Sequence, residues 1–178
     1  LAACLDAQGV SLRPGDILLV RTGWIEAFRA APDAAARLRE EATAALSGRP
    51  AAWEDLPRLP FARAVVEETL RLYPPVPLLA RRASEPLEVA GHRVPRGGLV
   101  LAVPWLLHRN PRLWEEPDRF LPERFLSGRP PRYAYVPFSL GPRVCTGMQF
   151  ALAETAICLA TLAQRFAPRL APGARVEP

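Results

Sequence analysis

The chain has no lysine: its 23 basic residues are all arginine, set against 18 acidic residues for a formal net charge of +5. The arginines are scattered, whereas a nucleic-acid-binding face gathers its positive charge and mixes in lysine, so no nucleic-acid partner is expected. Ala and Pro are abundant beside Arg, as GC-rich codon usage produces. Cysteine is scarce, with Cys4, Cys145 and Cys158 as the three present. An odd number without a Cys-x-x-Cys pair suggests neither a disulfide framework nor a zinc site, and makes a reducing cytoplasm the natural compartment. Histidine is scarcer still. His92 and His108 lie far apart, share no ligand spacing, and read as a turn residue and a surface or meander residue. No apolar stretch reaches about 18 residues without a charge or Pro, so no transmembrane span is visible. The first residues lack the basic-then-apolar order of a signal peptide. There is no internal repeat and no Gly-rich phosphate loop.

What is present suits a globular core: 178 residues, 49% of them hydrophobic, with a mean hydropathy of +0.02. This length makes one domain of ordinary size. The chain begins with Leu rather than Met, which fits a fragment or a processed product.

Local patterns divide the chain. Pro14-Gly15-Asp16 is a turn, and Ile17 to Val20 reads as a short buried strand. Pro32-Asp33 opens a helix over Ala34 to Leu46 that Gly48 stops. Trp53 to Pro57 is a linking turn or short helix. Pro60 starts a helix over Phe61 to Tyr73, ended by Pro74-Pro75. Val76 to Ala80 reads as a strand, Leu87 to Pro95 as a hairpin, Leu99 to Val103 as a strand, and Trp105 to Arg109 as a short helix. Asn110 to Tyr135 is long for a loop.

The most constrained stretch runs from Pro137 to Gly147, Pro-Phe-Ser-Leu-Gly-Pro-Arg-Val-Cys-Thr-Gly. Its glycines and prolines make it a fixed loop. An apolar run without a breaker follows, ends near Phe166, and reads as a buried helix in which Cys158 packs in the core. Cys145 therefore sits at a helix N-terminus, where unpaired N–H groups and the helix dipole favour negative charge. A negative sulfur in apolar surroundings is expensive unless a cation accompanies it. A lone thiol is ordinarily structural packing, and it is the surrounding pattern that carries another reading.

Phe138-Ser139-x-Gly141-x-Arg143-x-Cys145-x-Gly147 resembles the haem-binding signature of the cytochrome P-450 family. The resemblance implies that Cys145 is the axial thiolate of haem iron. It also implies that Arg143 meets a propionate, that Phe138 shields the sulfur, and that Gly147 lets the helix approach a flat macrocycle. The implied cofactor is haem b. Glu68-Thr69-Leu70-Arg71, followed by Leu72-Tyr73-Pro74-Pro75, resembles the family's K helix. Arg124, in Pro122-Glu123-Arg124-Phe125, matches the third member of a structural lock in which two arginines share the buried Glu68 carboxylate. By the same resemblance Val76, Pro77, Leu78 and Leu79 touch substrate, Arg81 is a second propionate contact with Arg82 its close rival, and Asn110 to Tyr135 is an ordered meander.

The family pattern holds from about Ala31 to Pro178, roughly five-sixths of the chain. The implied fold is mainly α with small β-sheets, an incomplete, C-terminal part of the family's fold. Residues 30–178 would form the haem-binding region and residues 1–29 a fused or rearranged segment. Leu12 to Trp24 weakly resembles a cyclase or kynurenine-formamidase-like metal hydrolase, without the His-rich motif of those enzymes. The oxygen-binding helix expected just before Ala31, with its Ala-Gly-x-x-Thr stretch, has no match, and Pro14, Gly15 and Gly23 break any long helical pattern there. The family reaction inserts one atom of O₂ into a small organic substrate, with electrons from a donor such as a ferredoxin or flavoprotein reductase, to which a basic surface offers a dock. The rival reading is a non-catalytic remnant without haem.

Overall fold

The computed structural model describes residues 32–128 and 130–166. The expectations for residues 1–29, for Cys4 and for the tail from Ala171 lie outside them. Among the described residues four α-helices, two small antiparallel sheets and three 3₁₀ turns are present. Helix α1 (Pro32–Leu46), α2 (Pro60–Leu72) and α4 (Met148–Arg165) build the core, and α3 (Pro104–Leu107) is a single turn.

Helix α1 has Asp33 in its first turn, where a carboxylate suits the dipole. It ends as Ser47 and Gly48 turn left-handed, at φ 51° and 88°. Its buried Leu38, Ala42, Ala45 and Leu46 recur at helical spacing. Helix α2 starts with Pro60, whose missing N–H costs nothing in the first turn. Its preceding residue, Leu59, offers no capping side chain; Glu41 of α1 reaches across instead. The Glu41 carboxylate accepts from the N–H of Phe61 at 2.7 Å and of Ala62 at 2.8 Å. Two otherwise unpaired donors of α2 are thereby satisfied by a negative charge.

Ala62, Val65, Val66 and Leu72 of α2 meet Leu38, Ala42 and Leu46 of α1 and Leu152, Ala156, Leu159 and Ala160 of α4 in one apolar cluster. Each large aliphatic side chain buried there contributes roughly 1.5–3 kcal/mol. Helix α4 was expected to be buried all round, but one face is buried. Phe150 and Leu162 stand on the other, and Cys158 is exposed on it rather than packed in the core. Apolar composition states a preference for burial, and the described elements cover a single side of this helix.

Strand β1 (Leu79–Arg82) pairs with β4 (Leu99–Ala102), Leu79 opposite Ala102 and Arg82 opposite Leu99. Strand β2 (Leu87–Val89) pairs with β3 (His92–Val94) across a tight turn at Ala90-Gly91, both at positive φ. His92 therefore begins a strand rather than sitting in the turn, and Val76 to Leu78 precede β1 without joining the sheet. The long segment after α3 is irregular but anchored: it buries Trp114 and Phe120, and Trp114, Phe125 and Tyr135 form an aromatic cluster with centroids 5.0–6.4 Å apart.

Candidate functional site

Three structures converge behind the Cys145 loop: the α2 acid–base pair, the segment after α3, and the loop itself. Glu68 and Arg71, one helical turn apart, are both fully buried. Arg71 donates to Glu68 through Nε at 2.7 Å and Nη2 at 2.8 Å, a bidentate pair. Its other N–H groups go to carbonyls of the segment that follows α3. Nη1 donates to His108 at 2.7 Å and Pro117 at 2.6 Å, and Nη2 to Arg119 at 3.0 Å. All five donors of the fork are thus used, which is what makes a buried guanidinium tolerable. Glu68 Oε1 also accepts from the N–H of Leu121 at 2.8 Å.

Arg124 comes beside this pair. Its Nε lies 3.5 Å from Glu68 Oε1, within ion-pair range but without hydrogen-bond geometry, while its Nη2 donates to the Glu116 carbonyl at 2.8 Å. Its charge thus reaches Glu68, whereas its hydrogen bond goes to the backbone. Two arginines face one carboxylate, on unequal terms.

His108 was expected at the surface or in the meander, and it is fully buried instead. Its Nδ1 lies 3.0 Å from the Arg71 carbonyl, and its Nε2 accepts from the N–H of Val136 at 2.9 Å. Burial lowers its basicity first; the neighbouring charges of Arg71 and Arg109 act in the same direction and the hydrogen bond to the Arg71 carbonyl opposes, for a pKa of about 4. Tyr135, the residue before Val136, donates its hydroxyl to the Glu67 carbonyl at 3.0 Å, and burial pushes its phenol up. Nothing in the sequence pattern singled out His108 or Val136, because their partners lie on distant elements.

The loop proper runs from Val136 to Gly147. Ser139 donates its N–H to Val136 at 3.2 Å, Val144 to Gly141 at 3.0 Å, and Cys145 to Phe138 at 2.9 Å. Ser139 and Gly141 hold left-handed φ of 65° and 66°, strained for Ser and free for Gly. Phe138 is half-buried against the core cluster. Cys145 is an exposed free thiol one turn before α4. A Cβ built on Gly147 would lie in ordinary contact with the Cys145 sulfur, at 3.9 Å, and would meet nothing nearer. Leu140, Val144 and Phe150 present exposed apolar surface from the same loop and the start of α4, and Arg143 is exposed.

The remaining expected residues are on the surface. Val76, Pro77 and Leu78 are exposed and Leu79 half-buried. Arg81 turns its Nη1 to the Ala80 carbonyl at 2.9 Å and Arg82 its Nη1 to Gly97 at 3.2 Å, and both are exposed. The exposed Cys145 thiol, with exposed Leu140, Val144 and Phe150 and the exposed Arg143 on the same loop and helix start, fits a flat apolar group that carries acidic substituents and takes one sulfur ligand.

Residues 29–178 match the sequence model of the family described as Cytochrome P-450, and the chain belongs to that family. Among individual relatives, cytochrome P-450 4V2 of Homo sapiens is 49% identical over 124 residues, 67% of this chain and 23% of the relative. Cyclooctat-9-en-7-ol 5-monooxygenase of Streptomyces melanosporofaciens is 41% identical over 145 residues, 80% of this chain and 32% of the relative. Cytochrome P-450 71D13 of Mentha piperita is 36% identical over 150 residues, 80% of this chain and 29% of the relative. The chain thus spans between 23% and 32% of the length of these relatives. Among the described residues, no helix is long and apolar enough to cross a membrane.

Proposed function

We propose that this chain is the C-terminal, haem-ligating part of a haem-thiolate monooxygenase, with Cys145 as the axial ligand of haem b. The observation that carries the reading is the exposed Cys145 thiol just ahead of α4, on a loop with exposed apolar side chains and an exposed Arg143. Family membership and the monooxygenase activity in one relative's name support it. When bound, haem would supply the activation of O₂ and the insertion of one oxygen atom into an organic substrate, with the sulfur donating electron density to the iron.

The residues of the chain then have separable tasks. Cys145 presents its sulfur from a loop fixed by the Cys145-to-Phe138 hydrogen bond. Phe138, half-buried against the core cluster, would help shield that sulfur from water once haem is bound. Arg143, and Arg81 or its rival Arg82, offer exposed guanidinium groups to propionates. Val76, Pro77, Leu78 and Leu79 offer apolar contact to substrate. Glu68, Arg71 and Arg124 hold the loop's support and touch nothing that reacts. The arginine-rich surface suits an acidic electron donor, such as a ferredoxin or flavoprotein reductase. The free thiols suit a reducing cytoplasm.

In this reading residues 30–178 form the haem-binding region and residues 1–29 a segment outside it. The oxygen-binding helix has no counterpart in the sequence of residues 1–29, so the second wall of a working site has to be supplied from elsewhere. Haem titration of the purified chain tests the reading. We expect one haem per chain, with binding lost in Cys145→Ala and weakened in Arg143→Ala. Binding that is equal in all three would overturn it.

A further inference from the structure

We infer that His108 is a positioning residue for Cys145: as a neutral imidazole protonated on Nδ1 it hangs the 136–145 loop from helix α2, and its protonation on Nε2 releases that loop. The inference rests on the reading of Cys145 as the ligand. The tautomer follows from its partners. The Arg71 carbonyl can only accept, so Nδ1 must carry the proton, at 3.0 Å. The Val136 N–H can only donate, so Nε2 must be bare, at 2.9 Å.

From Val136 a short series of backbone bonds leads to the sulfur-bearing residue. The Val136 carbonyl accepts from Ser139 at 3.2 Å, and the Phe138 carbonyl accepts from Cys145 at 2.9 Å. Behind His108 the attachment is double, because Arg71 also donates to the His108 carbonyl at 2.7 Å. His108 is thus the side-chain junction between the buried Glu68–Arg71 pair and the loop. A proton on Nε2 would set two donors face to face at Val136 while leaving the Arg71 bonds intact.

The charged and titratable groups around the ring favour the neutral form. Arg71, paired with Glu68, comes from α2; Arg109, beside Asp118 at 3.6 Å, follows in the chain; and Tyr135, its ring centroid 5.4 Å away, faces it from the loop. The lowering of the His108 pKa to about 4 agrees with that setting.

The test uses the full chain, first without haem. Nitrogen NMR of the His108 ring should show a proton on Nδ1 and a bare Nε2 at neutral pH. A ring protonated on Nε2 would overturn the inference without any variant. Amide exchange at Val136 should accelerate about tenfold or more in His108→Leu relative to the α2 amides, the expected consequence of one lost buried hydrogen bond. It should be restored in His108→Gln, whose side-chain oxygen accepts from the same N–H. Unchanged Val136 exchange in the Leu variant, or no rescue by Gln in a chain whose α2 amides stay protected, would contradict it. With haem added, the thiolate-type spectrum of the reduced carbon monoxide complex should weaken in His108→Leu and recover in His108→Gln, and a spectrum alike in all three would count against the link to Cys145. Failure of the ligand reading itself is separate: it appears as a Cys145→Ala chain with the wild-type spectrum, whatever the His108 ring and the Val136 amide report.

Discussion

Arg71 and His108 are bonded to each other twice, each through its backbone carbonyl: the Arg71 guanidinium donates to the carbonyl of His108, and His108 Nδ1 donates to the carbonyl of Arg71. Neither residue reaches the thiol. Together they tie α2 to the segment after α3, and through Val136 to the loop that carries Cys145.

The first expectation concerns the lock. Arg71→Lys keeps the charge but replaces a fork of five used donors with three, and strands carbonyls of His108, Pro117 or Arg119. Arg71→Ala goes further and leaves Glu68 a buried carboxylate with the Leu121 N–H as its hydrogen bond and Arg124 as its facing charge. Breaking a buried pair in this way costs about 3–5 kcal/mol. Arg124→Ala should cost less, because its Nε lacks hydrogen-bond geometry toward Glu68. Urea unfolding of the three variants checks the order; a larger loss for Arg124→Ala than for Arg71→Ala would contradict it.

Acid should act through His108 before it acts through Asp55. His108 is held neutral, its pKa lowered from 6.5 to about 4. Between those values the unfolded chain takes up a proton that the fold refuses. Stability therefore falls as pH drops through that window, by up to about 3 kcal/mol. Asp55 is lowered from 3.8 to about 2, chiefly by its hydrogen bond from Arg49 and next by the N–H of Ala52. Its contribution is present above 3.8 and is lost as pH falls toward 2. In denaturant titrations across pH 7 to 4, wild type should lose stability relative to His108→Gln as the pH falls, since the variant lacks the titrating group. Parallel curves would refute the assignment.

Local signals carried far in this chain, and remote ones did not. The prolines at 32, 60 and 74 and the turn at 47–48 bounded α1 and α2 within one or two residues, because capping and breaking act within a turn. The Glu68–Arg71 pair was equally readable, being a short-range pattern. His108 was not, since its partners lie 28 and 37 residues away in sequence and a lone His carries no periodicity. Cys158 was misplaced for a different reason: the α4 sequence is apolar on every side, and only tertiary packing decides which side is covered.

The remote cap of α2 gives a further check. Glu41 binds the N–H groups of Phe61 and Ala62, and Leu59 at the cap position has nothing to offer in its place. Glu41→Ala should destabilise the chain by about 1–2 kcal/mol, with the early α2 amides losing exchange protection first. Protection unchanged at those amides would mean that Glu41 is not the cap.

In the proposed reading Cys145 supplies the sulfur to iron. The most direct measurement is the absorption spectrum of the reduced carbon monoxide complex of the haem-loaded chain, in wild type, Cys145→Ala and Cys158→Ala. A thiolate-type band is expected in wild type and in Cys158→Ala, with its complete loss in Cys145→Ala. The same band surviving in Cys145→Ala would contradict it.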